Sequence, residues 1–277
     1  MGLRRGIYKS PAQLRAMVEP GLITAAALDA VRPLIVPGVT TLELDAEASR
    51  VITGRGAVSN FQMVRGYRHT ICTSVNEQVV HGIPGGRALE PGDIVSVDAG
   101  AEYRGWNGDS AITVVVPDPS RPVLVAEREE LSRVTEGSLW AGIAALATAR
   151  HLGEIGAAVQ AYIDASGHGY GILRDYVGHG IGRKMHESPS VFNYRVSDPG
   201  PEVRPGLAVA IEPMVVIGDQ ETFVEDDGWT VSTLDGTAGS HWEHSVAVHD
   251  GGIWVLTAPD GGAAGLAPFG VTPSAIE

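Results

Sequence analysis

The sequence predicts an α+β fold, an antiparallel sheet covered by helices and built from two halves related by a pseudo-twofold axis. Three observations support this fold: the first third has helical periodicity, β-branched strands occur in clusters instead of alternating with helices, and one short motif occurs twice. The chain has 277 residues, of which 44% are hydrophobic. That fraction is enough for a folded core and excludes a disordered chain.

Two helices are predicted near the start of the chain. The first begins after Ser10, and we expect Pro20 to break or kink it because proline lacks an N–H group. The second begins at Thr40, with Glu43 three residues later completing a capping box. Its apolar residues recur at helical spacing and predict one buried face: Leu44, Ala48, Val51 and Ile52.

The rest of the chain groups its strands and helices in clusters. Runs of β-branched residues bounded by glycine and proline predict strands at 94–100, 111–116, 207–217 and 244–257. Helical spacing predicts two more helices between them, at 126–146 and 151–165. We therefore assign residues 1–257 to a single domain of two homologous halves. Residues 258–277, rich in glycine, proline and alanine, are predicted to be a loose C-terminal tail.

The repeated motif combines a turn with an acidic strand. His81-Gly82-Ile83 leads to Pro91-Gly92 and, seven residues after that proline, to Asp98. His179-Gly180-Ile181 leads to Pro205-Gly206 and, at the same offset, to Glu212. Such short strings can recur by chance, but the shared order and offset make chance the weaker explanation. Two homologous halves would bring Asp98 and Glu212 face to face at the centre of the sheet.

Four carboxylates fall at the ends of the predicted strands. Asp98 and Glu212 belong to the repeat, Asp109 follows across a glycine-rich hairpin, and Glu243 begins the last strand. Buried carboxylates need compensation, and no Lys or Arg lies inside these strands. Four negative charges match two divalent cations, and oxygen ligands with at most one imidazole suit Mn, Fe, Co or Zn. Each acid alone is more often a cap or a surface residue, so the two-metal prediction depends on the joint pattern.

Composition and the remaining motifs exclude several classes of protein. A net charge of −13 argues against a nucleic-acid-binding surface and against docking on anionic lipid. A P-loop, a zincin helix and a Gly-x-Ser-x-Gly elbow each lack a required residue. Cys72 is the single cysteine; a nucleophilic thiol and the commoner buried, inert thiol both stay open. No apolar run reaches membrane-spanning length and no signal peptide is evident, so we expect a cytoplasmic protein.

Several motifs together resemble the methionine aminopeptidases, in their short bacterial type I form. They are HGIPGGRALEPGDIVSVD, GWNGD, YVGHGIGRKMHESPSV, LAVAIEPMV and DGWTVSTLDGTAGSHWEHSVAV. The resemblance extends from about residue 8 to about residue 257 without a missing block. It implies the pita-bread fold of that family, two αβ halves around a pseudo-twofold axis with a dinuclear metal centre on the sheet. The independent repeat in the sequence agrees with this fold.

The resemblance also implies roles for individual residues. It implies five metal ligands, of which Asp109 and Glu243 would bridge: Asp98, Asp109, His179, Glu212 and Glu243. It implies three catalytic residues: His81, His186 and Glu212. Both histidines would also contact the substrate, together with the residues of a methionine pocket: Tyr67, Cys72, Met185 and Trp229. Without the resemblance, His81 and His186 would be ordinary loop histidines.

The implied activity is that of an exopeptidase that removes the N-terminal methionine from new polypeptides and prefers a small second residue. Two divalent ions (Co, Mn, Fe or Zn) would activate a water molecule, Glu212 would move its proton, and His186 would polarise the scissile carbonyl. The partners would be peptides with an N-terminal methionine and nascent chains, including those at the ribosome. We expect no direct recognition of nucleic acid, no membrane contact and a monomer.

Some departures from the family pattern leave alternatives open. Met185 stands where the family commonly has phenylalanine, and residues 61–66 do not follow the usual pattern, so we expect a methionine pocket whose outline differs from that of the family. A proline-directed peptidase of the same fold is one alternative, although such enzymes usually carry an additional N-terminal domain. A catalytically inactive binding protein and a creatinase-like hydrolase are further alternatives, but both would be expected to lack part of the acidic ligand set.

Overall fold

The structure, a computed structural model, describes residues 6–277. The α-helices are α1 (Pro11–Val31), α2 (Thr41–Gly54), α3 (Pro122–Leu146), α4 (Gly153–Ala165) and α5 (Ala263–Leu266), and short 3₁₀ helices lie at Arg32–Leu34, Phe61–Met63 and Ala267–Phe269. The strands of the first half are β1 (Val58–Ser59), β2 (Ile71–Val75), β3 (Gln78–Val80), β4 (Ile94–Tyr103) and β5 (Trp106–Val115). Those of the second half are β6 (Gly171–Ile172), β7 (Gly178–Gly180), β8 (Glu187–Val191), β9 (Ala208–Ile211), β10 (Met214–Val216), β11 (Thr222–Val224), β12 (Val231–Thr233), β13 (Gly239–His241), β14 (Glu243–His249) and β15 (Gly252–Val255).

Nine strands form the main sheet, and each of its pairings is antiparallel. The strand order is β1-β4-β5-β14-β9-β7-β8, with β2 added beside β4 and β15 beside β14. Two three-stranded sheets, β13-β10-β6 and β11-β12-β3, complete the strand pairing. The central pair is thus β5 from the first half and β14 from the second. This arrangement confirms the predicted α+β fold with its antiparallel sheet.

Helices cover the sheet as predicted. Helix α1 packs on β4, β5 and α2, whereas α3 packs on α4, β5 and β13. The predicted capping box of Thr40 with Glu43 is present at the start of α2, and a second one that was not predicted, Ser10 with Gln13, begins α1. In α2 the side chains of Leu44, Ala48 and Ile52 are buried, as their spacing predicts. Among residues 6–277 no helix is long and apolar enough to span a membrane.

The two copies of the repeated motif share two local features, a glycine turn and a close backbone approach at the glycine of His-Gly-Ile. Gly92 and Gly206, in the two Pro-Gly turns, have φ angles of 87° and 99°, a conformation that favours glycine. A Cβ atom at Gly82 would lie 2.2 Å from the carbonyl oxygen of Thr73, and one at Gly180 would lie 2.2 Å from that of Ser188. Each His-Gly-Ile segment therefore needs glycine to let a neighbouring backbone approach, which is a physical reason for the repeat.

Helix α1 continues through Pro20, so the predicted break is wrong. Close packing of the next residue explains the continuity. A Cβ atom at Gly21 would lie 2.3 Å from the carbonyl oxygen of Leu256, and one at Gly108 would lie 2.7 Å from the Cα of Gly21. Pro20 has no N–H group, so one hydrogen bond of the helix is missing. Contact of α1 with β5 at this point keeps the helix continuous.

The predicted strand at 207–217 is divided in two. β9 ends at Ile211 and β10 begins at Met214, and the two strands belong to different sheets. Pro213 cannot donate a ladder hydrogen bond, so the chain leaves the main sheet there. As a result, Glu212 lies at the point where the backbone crosses from one sheet to the other.

The C-terminal segment packs against the domain, so the expectation of a loose tail is wrong. Leu266 is fully buried, and Ser274 donates its backbone N–H to the carbonyl oxygen of Ile253 at 3.0 Å. His249 Nε2 lies 2.7 Å from the carbonyl oxygen of Ser274. The small residues of this segment permit close packing, since a Cβ atom at Gly265 would lie 2.2 Å from the ring of Trp140.

Candidate metal centre

The register of the sheet places four positions in one row across the central strands. Asp98 on β4 pairs with Ala111 on β5, and Ala111 pairs with Glu243 on β14. On the other side of β14, His244 pairs with Ile211, so Glu212 follows opposite Glu243. Directly paired residues project from the same face of a sheet. The carboxylates of Asp98, Glu243 and Glu212 therefore converge on one face.

Asp109 joins this face because it precedes Ala111 by two residues on the same strand. Its backbone is pinned to β14 in both directions: its N–H donates to Ser245 Oγ at 3.1 Å, and its carbonyl accepts from the same hydroxyl at 2.8 Å. Ser110 Oγ donates to the carbonyl oxygen of Glu243 at 2.6 Å. These bonds fix Asp109 and Glu243 relative to each other.

His179 enters from the opposite edge of the site, on β7. Its neighbour Gly180 pairs with Val209 on β9, which sets the imidazole beside the end of that strand. Nδ1 lies 3.0 Å from the carbonyl oxygen of Gly180, and a carbonyl can only accept, so Nδ1 is the donor. Nε2 consequently presents its lone pair to the carboxylates, at 3.5 Å from Glu212 Oε1 and 3.8 Å from Asp109 Oδ2. Such an orientation is typical of a metal-ligating histidine.

Within the described residues, three sets of side chains can each bring three ligand atoms within 4.8 Å of one another. One set is His179, Glu212 and Glu243, and the second is Asp98, Asp109 and Glu243. The third joins Asp109 and His179 to His186. Asp109, His179 and Glu243 each belong to two sets. Of these three residues, only the two carboxylates have a pair of oxygen atoms that could be shared between neighbouring ions.

Unpaired oxygen atoms show that the carboxylates fit a cation. One buried oxygen of each of the four acids has no hydrogen-bond partner: Asp98 Oδ1, Asp109 Oδ1, Glu212 Oε1 and Glu243 Oε1. Buried polar atoms are normally satisfied, and leaving several unpaired carboxylate oxygens in one place is costly. Among residues 6–277 the basic groups within 4 Å of these acids are imidazoles, not Lys or Arg. Divalent metal ions with a preference for oxygen and imidazole match this set.

The electrostatics of the site lead to the same interpretation. Burial raises the pKa of Asp98 to about 7 and raises the pKa values of Asp109, Glu212 and Glu243 well above their usual range. Repulsion between the carboxylates adds to this effect in the last three. A bound cation acts in the opposite direction, because it stabilises the ionised form. The site is therefore arranged for carboxylates that ionise when metal binds.

All eleven residues predicted for the site line one cavity of 140 Å³. The metal-ligand candidates lie at one end, and an apolar pocket formed by Tyr67, Cys72, Met185 and Trp229 lies at the other. Cys72 on β2 pairs with Asp98 on β4, which connects the two ends. Two larger hollows, of 480 and 560 Å³, contain none of these residues. The chemistry of the lining side chains, and not the volume of the cavity, therefore identifies the site.

Aromatic contacts shape the apolar pocket. Tyr67 meets Trp229 edge-on with ring centroids 5.2 Å apart, and its hydroxyl donates to the carbonyl oxygen of Ile71 at 2.7 Å. Cys72 is buried, and burial raises the pKa of its thiol. A thiol that is neutral near pH 7 is a poor nucleophile, so Cys72 serves as a small apolar wall.

The two predicted catalytic histidines border the same cavity. His81 has a φ angle of 61°, an uncommon conformation for a residue other than glycine, and its ring contacts Tyr176 edge-on at 5.8 Å. His186 contacts the ligand candidate His179 edge-on, with ring centroids 4.3 Å apart. Burial lowers the pKa of His81 to about 4 and also lowers the pKa of His186. Both imidazoles are therefore neutral near pH 7.

Some residues of the site were not predicted from the sequence. Phe61, Val64 and Val80 line the cavity as further apolar walls. Asn193 is fully buried and donates from Nδ2 to the carbonyl oxygen of Glu212 at 2.9 Å. His241 is buried with Nε2 3.8 Å from Glu212 Oε2, and burial lowers its pKa to about 3. The pairing of Met214 with His241 places the latter beside the site, and no local sequence signal indicates that pairing.

Another hollow, larger than the 140 Å³ cavity that contains the site residues, adjoins that cavity. It has a volume of 500 Å³ and shares His81, His179, His186 and Glu212 with the smaller cavity. Its other walls are more polar and include Asp175, Tyr176, Glu187, Ser188 and Ser190. A small, mostly apolar compartment and a large polar one thus meet at the histidines and Glu212. That geometry suits a substrate with one apolar end group and a longer polar remainder.

Comparison with known proteins gives a consistent result. The profile of metallopeptidase family M24 matches residues 15–250. Methionine aminopeptidase 1 of Bacillus subtilis is 40% identical over 91% of this chain and 98% of its own length. Methionine aminopeptidase 1 of Mycobacterium tuberculosis is 43% identical over 90% of this chain and 94% of its own.

Solved structures show the same similarity. Methionine aminopeptidase from Thermotoga maritima superposes with a TM-score of 0.84 at 37% identity, covering 90% of this chain and 98% of that one. Prolidase from Pyrococcus furiosus superposes with a TM-score of 0.70 at 21% identity, covering 91% of this chain and 65% of that one. The second likeness shows a shared fold and no more.

Proposed function

The chain belongs to the methionine aminopeptidases of metallopeptidase family M24, and we propose how its site performs the metal-dependent removal of an N-terminal methionine. One observation carries the proposal: a single cavity joins five candidate metal ligands to an apolar pocket through the cross-strand pair of Asp98 and Cys72. A metal centre at one end and a side-chain pocket at the other are the parts that an exopeptidase requires.

The metal centre holds two divalent ions in this proposal. Asp98, Asp109 and Glu243 would hold one ion, and His179, Glu212 and Glu243 would hold the other; these are two of the clustered ligand sets. Glu243 belongs to both sets, and Asp109 Oδ2 lies 3.8 Å from His179 Nε2, so both carboxylates would contribute to both parts of the site. Oxygen ligands with a single imidazole suit Mn, Fe, Co or Zn. When bound, such ions lower the pKa of water and polarise a carbonyl group.

Glu212 moves the proton in this reaction. Its Oε1 lies 3.5 Å from His179 and its Oε2 3.8 Å from the buried His241, and the residue lines both the cavity with the ligand candidates and the larger hollow. As a general base it accepts a proton from the attacking water, and as a general acid it passes the proton to the leaving amine. The hydrogen bond from Asn193 to its carbonyl oxygen holds the backbone in place during both transfers.

His186 and His81 act as neutral hydrogen-bonding groups. His186 stabilises the negative charge that develops on the scissile carbonyl oxygen, a role that needs a donor positioned in advance. His81 binds the backbone of the second residue and so aligns the peptide. Because the pKa of each histidine lies below its usual value, neither must lose a proton before it acts near pH 7.

The two compartments divide the substrate between them. The methionine side chain lies among Tyr67, Cys72, Met185 and Trp229, where a polarizable thioether makes favourable contacts with aromatic rings and sulfur. The rest of the peptide lies in the larger hollow. His81 and Tyr176, which pack edge-on, both line the larger hollow, and their rings would limit the size of the second residue.

The wider setting of the reaction is also part of the proposal. Nascent chains are the expected substrates, including chains still at the ribosome, and the reaction would take place in the cytoplasm. The enzyme works as a monomer, with residues 1–257 as its catalytic domain. The net charge of −13 gives no support to direct recognition of nucleic acid.

Peptide hydrolysis tests the proposal. The metal-free protein, reconstituted separately with Mn²⁺, Co²⁺, Fe²⁺ or Zn²⁺, is assayed on Met-Gly-Met-Met and on a Xaa-Pro peptide. We expect metal-dependent release of methionine from the first peptide and little cleavage of the second. Preferential cleavage of the Xaa-Pro peptide would instead support a proline-directed peptidase, the activity named for more distant structures of the same fold.

A further inference from the structure

The N-terminal segment is fixed to the strand that leads to Glu212. Tyr8 forms a β-bridge with Leu207, and the backbone N–H of Lys9 donates to the carbonyl oxygen of Gly206 at 2.6 Å. Gly206 has a φ angle of 99°, and a Cβ atom there would lie 2.5 Å from the carbonyl oxygen of Lys9. The backbone of Lys9 is therefore held closely at the start of β9.

The side chain of Lys9 forms a shielded ion pair across the structure. Its Nζ lies 3.0 Å from Glu187 Oε2, although the two residues are 178 positions apart in sequence. The lysine side chain is 6% exposed and that of the glutamate 20% exposed. Desolvation offsets much of the attraction in such a pair, so its main contribution is geometric and not a gain in stability.

Glu187 organises the loop at 182–187, which carries His186. Its Oε1 accepts the backbone N–H of Lys184 at 3.0 Å, so the carboxylate closes the loop on itself. A Cβ atom at Gly182 would lie 2.7 Å from Lys9 Cε and 3.0 Å from both carboxylate oxygens. The loop is therefore packed directly around the ion pair.

We propose that Lys9 is a positioning residue for the reaction, which holds Glu187 and thereby sets the loop that presents His186 and Met185 to the substrate. The inference rests on the proposed function, which assigns His186 to oxyanion stabilisation and Met185 to the methionine pocket. Lys9 itself does not line the cavity that holds the reacting groups. Loss of its charge leaves Glu187 without its cation and lets the loop move. A misplacement of about 1 Å can reduce a rate by about 10²-fold.

Four variants test this role: Lys9→Met, Lys9→Arg, Glu187→Gln and the double variant of Lys9→Met with Glu187→Gln. Lys184→Met is the matched control, since it removes an exposed lysine from the same loop. The measurements are kcat and KM on Met-Gly-Met-Met at saturating metal, and Mn²⁺ affinity by calorimetry. Glu187→Gln can keep one oxygen to accept from Lys184, but it removes the charge and turns an amide N–H toward Lys9, so it breaks the ion pair from the other side and serves if Lys9→Met folds poorly.

We expect Lys9→Met and Glu187→Gln each to lower kcat by about 10- to 100-fold, with a much smaller change in KM. The Mn²⁺ affinity of both single variants should stay close to that of the parent protein. Lys9→Arg keeps the positive charge and should keep most of the parent's kcat. The double variant should have a kcat no lower than that of either single variant, because all three lack the same ion pair. Normal kcat in both single variants would overturn the proposal, as would a loss of Mn²⁺ affinity that accounts for the lost rate. A parent protein inactive on methionine peptides would instead refute the proposed function, and the same variants would then be compared on the peptide that is cleaved.

Discussion

Glu212 is the residue whose two proposed duties can be separated by substitution. Glu212→Gln keeps an oxygen for coordination but cannot accept the proton of water. We expect it to bind at least one metal ion, more weakly than the parent, and to lose activity by about 10²–10⁴-fold. Glu243→Gln should fail mainly through loss of metal, because Glu243 belongs to both ligand sets, and high metal concentration should partly restore it. Activity titrations with Mn²⁺ or Co²⁺ measure both effects; equal recovery of the two variants would refute proton transfer by Glu212.

The histidines give a second prediction at the residue scale. His186→Ala removes a donor that acts as charge develops, so kcat should fall by about 10²–10³-fold. His81→Ala should have a comparable effect if His81 aligns the peptide backbone. His168→Ala is a suitable control, because that histidine lies outside the site and pairs with Glu130 on the surface. Near-normal turnover of either site variant, with metal bound, would mean that its catalytic assignment must be withdrawn.

At the scale of elements, the C-terminal segment should stabilise the domain. Truncation after Thr257 removes the buried Leu266 together with the hydrogen bonds of Ser274. We expect the free energy of unfolding to fall by about 3–5 kcal/mol, which is roughly the value of one fully buried large side chain plus two hydrogen bonds. Leu266→Ala should reproduce most of this loss, about 2–5 kcal/mol by cavity formation, whereas Val123→Ala at an 82% exposed position should not. Unfolding in denaturant provides the measurement, and an unchanged midpoint after truncation would show that the segment contributes nothing.

The elements also show how far the sequence predicts the fold. Capping residues and apolar spacing located α2 well, because both signals are local. The same local rules failed at Pro20, where contact with β5 keeps the helix intact, and in the C-terminal segment, where packing orders small residues. Short strands such as β7 and β8 carry no periodic pattern of their own. They form because glycines such as Gly180 admit a neighbouring backbone, a condition that only the folded structure reveals.

The residues of the candidate site occur in distinctive motifs, and the structure brings all of the predicted ones to one cavity, while their roles stay predictions. The repeat predicts that Asp98 and Glu212 face each other, but the strands that lead to them, β4 and β9, do not meet. β5 and β14 lie between them, and the two acids stand at opposite ends of one row across the sheet. Asn193, Lys9 and His241 were not predicted. Asn193 and His241 contact Glu212, and Lys9 contacts Glu187. Each contact joins separate segments of the chain, so no local spacing in the sequence indicates these residues.

For the molecule as a whole, metal binding should be linked to proton release. Burial holds the pKa of Asp98 at about 7 and those of Asp109, Glu212 and Glu243 well above their usual range, so the metal-free site retains protons at pH 7. The pKa of His179 is lowered to about 4, so this ligand is already neutral. Metal requires ionised carboxylates, and apparent affinity should therefore rise as pH increases from about 6 to 8. Calorimetry in two buffers of different ionisation enthalpy measures the released protons; a pH-independent affinity without proton release would contradict the prediction.

The whole account depends on two metal ions bound among Asp98, Asp109, His179, Glu212 and Glu243. A crystal of the metal-free protein soaked in Mn²⁺ or Co²⁺ and measured at the absorption edge of that metal tests this most directly. We predict two anomalous peaks about 3.5–4 Å apart, within coordination distance of these five side chains and with Glu243 in contact with both. Anomalous density at another cluster of side chains, or its absence from these five residues, would contradict the account.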